Sequence, residues 1–356
     1  MRPRPPDAGA TALALLALVA LFAGLTPTTA TAQRLVNGAG ATLPYPLYSK
    51  WFHEYTRIAP EVRFNYQSIG SGGGIRQVTE RTVDFGASDA PMTDEQLKKA
   101  PGLMHIPTVL GAVVVTYNLP GHPKVRFTPR ILADIFLGRI TTWNDPALAT
   151  ANPEVTLPNQ AIVVVHRSDG SGTTSIWVDY LSKVSPEWER KVGRGTSVNW
   201  PVGIGSKGNE GAAGQVKNLP GALGYVEVAY ALKNNLPAAA VQNRAGRFVE
   251  PTLRSTSAAA ASATRTMPSD FRVSLTDQSG EDTYPVAGFT YVLLYREQPD
   301  SAKGKALAEF LWWAIHDGQK YAPDLLYAPL PGDVVKLVEA KVREITHRGE
   351  PLLALH

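Results

Sequence analysis

Arg167 and Asp169 stand two residues apart where an apolar run, Ile162-Val-Val-Val165, gives way to a glycine-rich loop. A guanidinium in that position can make paired hydrogen bonds to an oxyanion, and a neighbouring carboxylate can hold it in place. On an open surface such an ion pair is worth about 0–1 kcal/mol, so its place at the mouth of an apolar run favours a binding role. Three glycine-containing stretches add to it: Gly38-Ala-Gly-Ala-Thr-Leu43, Gly70-Ser-Gly-Gly-Gly74 and Asp169-Gly-Ser-Gly-Thr-Thr174. Thr42, Ser71 and Thr173 each supply a hydroxyl that can cap a helix and still donate to a ligand. A helix start carries unpaired N–H groups and a partial positive charge, so three starts aimed at one point would bind an anion. A capped helix after a turn accounts for any one loop alone. Three loops together with the Arg167–Asp169 pair point to one anion site.

Asp89, in Ser88-Asp-Ala-Pro91, is the exception among these donors. A carboxylate repels a bound anion unless the anion brings a proton for it to accept. Phosphate keeps at least one O–H at neutral pH and sulfate keeps none, so Asp89 would favour the protonated oxyanion and reject the fully ionised one. The structural alternative is a cap for a helix beginning near Pro91.

The elements that must position these residues alternate between strand and helix. Arg34–Asn37 is expected to be a strand, followed by a helix with Leu47, Trp51, Tyr55 and Ile58 at helical spacing, ended by Pro60. Val62–Ser68 alternates like a strand, a helix carries Ile75 and Val78, and Val83–Ala87 is a third strand candidate. Thr108–Tyr117 and Ile162–Val165 are continuous apolar runs, as buried strands require. A helix with Ile176, Val178, Tyr180 and Leu181 follows, then a fourth glycine-rich stretch over residues 201–211. Residues 255–267, rich in Ala, Ser and Thr, fit either a helix or an exposed loop. Ala287–Tyr295 is strand-like, Leu307–Ile315 helical, and Asp333–Ile345 helical with Val334, Leu337, Val338, Val342 and Ile345 on one face. The pattern is that of an α/β sheet built from βαβ units.

Arg2 and Arg4, the uncharged run Ala10–Leu25 and the small residues Ala30-Thr-Ala32 read as a signal peptide over residues 1–32 that is removed, leaving Gln33 first. That removal takes Arg2, Arg4 and Asp7 with it and lowers the formal net charge from +4 to +3. The remaining excess is scattered, unlike the clustered cations of a nucleic-acid surface, so no nucleic-acid partner is expected. There is no cysteine, which excludes disulfides, thiol catalysis and a lipid-bearing cysteine. A product free in the periplasm is expected. Enzyme motifs are missing: no Gly-x-Ser-x-Gly elbow, no phosphate-loop lysine and no His-Glu-x-x-His pair occur, so no catalytic residue, metal or cofactor is expected. His53, His105 and His316 read as structural or solvent-facing. A phosphatase with Ser71 or Ser171 as nucleophile would lack an evident base.

The strings Asn37-Gly-Ala-Gly-Ala-Thr-Leu-Pro44, Ser68-Ile-Gly-Ser-Gly-Gly-Gly74, Val83-Asp-Phe-Gly-Ala-Ser-Asp-Ala-Pro91, Arg167-Ser-Asp-Gly-Ser-Gly-Thr173 and Gly221-Ala-Leu-Gly-Tyr-Val-Glu227 resemble the periplasmic phosphate-binding proteins of ATP-driven phosphate uptake. The resemblance runs from about Val36 to Ile345. It implies a type II periplasmic-binding fold, with domain I over 33–117 plus 292–356, domain II over 118–291, hinge crossings near Tyr117 and Tyr291, and a ligand cleft between the domains. It implies phosphate ligands at Thr42, Leu43, Ser71, Asp89, Arg167, Ser171, Gly172 and Thr173, with Leu43 and Gly172 acting through backbone N–H groups. Asp89 would accept the phosphate proton, Asp169 would pair with Arg167, and His166 would point away from the ligand. The implied partners are inorganic phosphate and the permease and ATPase of an ABC transporter, served by a monomeric receptor. A receptor of the same fold for sulfate or molybdate, or a phosphate scavenger without a transporter, remains open at the level of sequence.

Overall fold

The computed structural model describes residues 33–264 and 267–353. The expected signal peptide, residues 1–32, lies outside the described residues. Alternation of strand and helix is borne out. In chain order the site is built from β1 (Arg34–Gly40), α1 (Tyr45–Tyr55), β2 (Val62–Ser68), α2 (Ser71–Thr79), β3 (Phe85–Ser88) and β4 (Leu103–Tyr117), then from β5 (Val163–Arg167), α3 (Gly172–Val184), β6 (Ile204–Ser206), α4 (Gly208–Asn218), β7 (Ala222–Glu227), α5 (Val228–Lys233) and β8 (Ala287–Tyr295).

These strands form one sheet in the order β2-β1-β3-β8-β4-β7-β5-β6. It is mixed rather than wholly parallel. β1 runs parallel to β2 and β3, and β5 runs parallel to β6 and β7. Between these groups β8 is antiparallel to β3 and β4, and β4 is antiparallel to β7. All fifteen residues of β4 are buried, because the strand is covered on both faces and therefore carries an unbroken apolar run. β4 changes partner along its length: Leu103–Ala112 lies against β8, and Val113–Tyr117 against β7.

Aromatic packing fixes the helices on the sheet. Phe52 and Tyr55 of α1 pack with Phe64, Phe85, Phe310 and Trp313, and Trp51 stacks on Tyr48. Farther along, Trp177 of α3 stacks on Tyr225 with ring centroids 5.3 Å apart, and Phe136 and Trp200 close over them. Each buried aromatic stabilises the fold by about 1.5–3 kcal/mol relative to leaving it exposed. The buried indole N–H of Trp51 donates to the Gly318 carbonyl at 2.7 Å, which avoids the cost of an unpaired donor.

The Ala/Ser/Thr-rich segment is a helix, Leu253–Thr264, burying Ser255, Thr256, Ala259, Ala260 and Ala263. Small side chains let it lie close against β4 and β8. The last helix, Gly332–Arg343, buries Val334, Val338 and Val342, but Leu337 is 46% exposed. Leu337 falls at the margin of the stripe that positions four apart define, so the expectation that it shares the buried face fails.

Candidate functional site

The loops that carry the candidate residues all follow the carboxyl ends of parallel strands, which is where open α/β sheets form their crevices. Thr42 and Leu43 follow β1, Ser71 follows β2, Asp89 follows β3, and Arg167 closes β5 just ahead of Ser171, Gly172 and Thr173. The side chains of Thr42, Leu43, Ser71, Asp89, Arg167, Ser171 and Thr173 are buried.

At Arg167, Nε donates to Asp169 Oδ1 at 2.8 Å and Nη2 donates to Oδ2 at 2.5 Å, a bidentate pair as expected. Burial pushes the Asp169 carboxyl up, but the hydrogen bonds and charge of Arg167 and an N–H from Gly208 outweigh it and hold the carboxyl below its usual range. The pair occupies one edge of the guanidinium. Nη1 is buried and has no hydrogen-bond partner among the described residues, so the guanidinium keeps one charge-bearing donor to offer. His166 stacks on Trp200 at 4.8 Å instead, as alternation along β5 dictates.

Ser71 Oγ accepts the Asp89 N–H at 3.1 Å. Asp89 Oδ1 accepts a hydrogen bond of 2.5 Å from the Thr290 hydroxyl of β8, and Oδ2 lies 3.5 Å from Ser71 Oγ. Burial raises the Asp89 carboxyl to about 7, against the hydrogen bond from Thr290 and the charge of Arg167. Near neutrality Asp89 is therefore poised between acceptor and donor. It caps no helix: the next one begins at Asp94 and is capped by Thr93.

Helix α3 brings its first turn against this pair. A Cβ on Gly172 would lie 2.4 Å from Ser71 Oγ and 2.6 Å from the Asp89 Cβ, so only glycine permits the approach. The two glycine loops also bond directly, Gly72 N–H to the Gly170 carbonyl at 2.8 Å. Gly70, at φ +89° and with Asp169 Oδ2 2.3 Å from where a Cβ would be, is likewise restricted to glycine.

The expectation that Thr42, Ser71 and Thr173 act as helix caps is not met. The caps of α1 and α2 are Pro44 and Gly70, neither with a side-chain bond, and α3 is capped by Ser171, whose Oγ accepts the Thr174 N–H. The reason is competition for lone pairs: Thr42 and Thr173 already accept from Asn209, and Ser71 lies inside the first turn and accepts from Asp89. Ser71 and Thr173 still sit at helix starts, where the partial positive charge falls.

The geometry thus collects hydroxyls, helix-terminal N–H groups, one guanidinium edge and one carboxyl near its titration point. Asp169 balances Arg167, so an anion here is held by directed donors more than by net charge. Residues 26–316 match the PBP superfamily domain. A phosphate-binding protein PstS of Xylella fastidiosa is 48% identical over 309 residues, which cover 86% of this chain and 84% of that one. A phosphate-binding protein PstS of Pasteurella multocida is 45% identical, covering 87% of this chain and 90% of that one. The chain belongs to the PstS family of phosphate-binding proteins. Among solved structures, a high-affinity periplasmic phosphate-binding protein with phosphate bound has a TM-score of 0.69 at 21% identity, covering 86% of this chain and 93% of that one. A putative phosphate ABC transporter substrate-binding protein of Clostridium perfringens, also with phosphate bound, has a TM-score of 0.63 at 18% identity, covering 84% of this chain and all of that one. The fold is the α/β type II periplasmic-binding fold.

In this family member the sequence reading missed the residues that set the site's orientation. Tyr230 donates to the Thr42 carbonyl at 2.6 Å and Tyr327 to the Leu43 carbonyl at 2.7 Å, which pins the loop after β1. Asn209 and Thr290 contact site side chains directly. Asn209 falls in the fourth glycine-rich stretch, the one signal available; Thr290 lies in an apolar strand run with none. Among the described residues no group of three or more His, Asp or Glu side chains could hold a metal ion, and no helix is long and apolar enough to cross a membrane.

Proposed function

We propose that this chain is a periplasmic receptor that captures inorganic phosphate between two α/β lobes and delivers it to the permease and ATPase of an ABC importer. The lobes are residues 33–117 plus 292–356 and residues 118–291, and the contact points are Thr42, Leu43, Ser71, Asp89, Arg167, Ser171, Gly172 and Thr173. The observation that carries this reading is the buried, unpartnered Arg167 Nη1 in a setting of hydroxyl and N–H donors with Asp89 as the acceptor. Phosphate fits such a set: its ionised oxygens take the donors, and its remaining O–H donates to the Asp89 carboxylate. Sulfate and molybdate leave that carboxylate without a proton and are disfavoured. The family supports a substrate-binding role in transport, and the receptor performs no chemistry, needs no cofactor and works as a monomer. Capture by lobe closure lets preorganised donors replace water around the anion, which favours affinity and selectivity together.

Calorimetric titration of the phosphate-stripped mature protein tests the proposal. Tight one-to-one binding of phosphate with no sulfate heat at alkaline pH, where Asp89 is ionised, is the expected result. Equal binding of both would make this a general oxyanion receptor, and no heat from either, with phosphoester hydrolysis in an activity assay, would overturn the receptor reading.

A further inference from the structure

The fourth glycine-rich stretch, residues 201–211, supplies β6 and the first turn of α4, and it places Asn209 fully buried between the loop after β1 and the start of α3. Asn209 Oδ1 accepts the backbone N–H of Glu227 at 2.9 Å. A backbone N–H can only donate, so this bond fixes which end of the amide is oxygen. The Nδ2 end then faces two threonines, 2.8 Å from Thr42 Oγ1 and 3.0 Å from Thr173 Oγ1, one N–H for each. The Asn209 backbone N–H adds a second donor to Thr42 Oγ1 at 3.2 Å.

A hydroxyl has one proton and two lone pairs. With both lone pairs engaged by Asn209, Thr42 can offer an incoming group only its proton. Thr173, with one lone pair engaged, is biased the same way. We propose that Asn209 is a positioning residue that locks the Thr42 and Thr173 hydroxyls as donors toward the bound anion. This inference rests on the phosphate-receptor reading and deepens it. One amide sets the polarity of hydroxyls drawn from both halves of the sheet, and the site then offers an oxyanion donors everywhere except at Asp89. Without that lock either threonine can turn and present a lone pair, which an ionised phosphate oxygen repels.

The test is a double-mutant cycle on phosphate affinity, read by calorimetry on the phosphate-stripped protein. Asn209→Ala should weaken phosphate binding about tenfold or more in the wild-type background. In a Thr42→Val/Thr173→Val background, where no hydroxyl remains to be oriented, the same change should have little effect. A loss of equal size in both backgrounds would show that Asn209 only fills space and would overturn the assignment. Should Asn209→Ala fail to fold by circular dichroism, Asn209→Ser goes through the same cycle and is judged by the same two outcomes. If the wild-type protein binds no phosphate, the receptor reading fails and this inference with it; if it binds and the cycle is additive, only the role of Asn209 fails.

Discussion

Asp89 is where charge and the proposed selectivity meet. Its carboxyl, raised to about 7 by burial, is an acceptor above that pH and a donor below it. In the proposed role it rejects sulfate as an acceptor, and once protonated it donates to a sulfate oxygen. Sulfate binding by the wild-type protein is therefore expected to appear as pH falls through about 7 and to be absent at alkaline pH, as titrations across that range would show. Asp89→Asn, whose amide donates at every pH, should bind sulfate throughout; unchanged selectivity in that variant would remove Asp89 from the role of proton acceptor. Thr290 donates to Asp89 Oδ1 and so favours its ionised form. Thr290→Val should move the onset of sulfate binding to higher pH. Arg167→Ala deletes a charge-assisted donor worth about 1.5–3 kcal/mol, so phosphate affinity should fall roughly tenfold to a hundredfold. Wild-type affinity in that variant would place Arg167 outside the contact set.

Helix α3 serves the site through its first turn, and two positions there separate stability from approach. Ser171 Oγ accepts the Thr174 N–H, an N-cap whose loss costs about 1 kcal/mol. Ser171→Ala should lower the melting temperature of the phosphate-free protein by a few degrees. Gly172 is different, because it meets Ser71 and Asp89 rather than its own helix. Gly172→Ala adds a methyl where Ser71 Oγ already stands, so it should reduce phosphate affinity at least about tenfold, and, because the proposed lobes part when no phosphate holds them, leave the melting temperature without phosphate nearly unchanged. A Gly172→Ala protein with normal affinity would mean that α3 does not approach Ser71 in the bound state.

Across the whole molecule, the site is drawn together from strand ends far apart in sequence. Thr42, Ser71 and Asp89 come from one side of the β8–β4 pair, Arg167 through Thr173 and Asn209 from the other, and β4 belongs to both. A ligand gripped from both sides stabilises the folded state by mass action, about 2.7 kcal/mol at a free concentration one hundred times its dissociation constant. Saturating phosphate should therefore raise the melting temperature of the wild-type protein clearly, and that of Gly172→Ala much less. A wild-type melting temperature indifferent to phosphate would contradict binding altogether.

The chain's own pattern determined a good deal. Unbroken apolar runs marked β4 and β5 as buried strands, because strands covered on both faces have no solvent side to alternate toward. Glycines with hydroxyls after strands marked the loops of the candidate site, and the spacing of Arg167 and Asp169 gave their bidentate pair. What spacing could not carry was direction. Which hydroxyls cap helices and which accept from neighbours depended on partners remote in sequence, so Ser171 rather than Thr173 became the cap of α3. The helical character of Leu253–Thr264 rested on a close fit to β4 and β8 that its composition left open. Asn209, 167 residues from Thr42, and Thr290, 201 residues from Asp89, are joined to the site only by the sheet order. Local sequence sets propensity and pattern, whereas hydrogen-bond partnership inside a buried site is decided by which strand ends the sheet brings to one place.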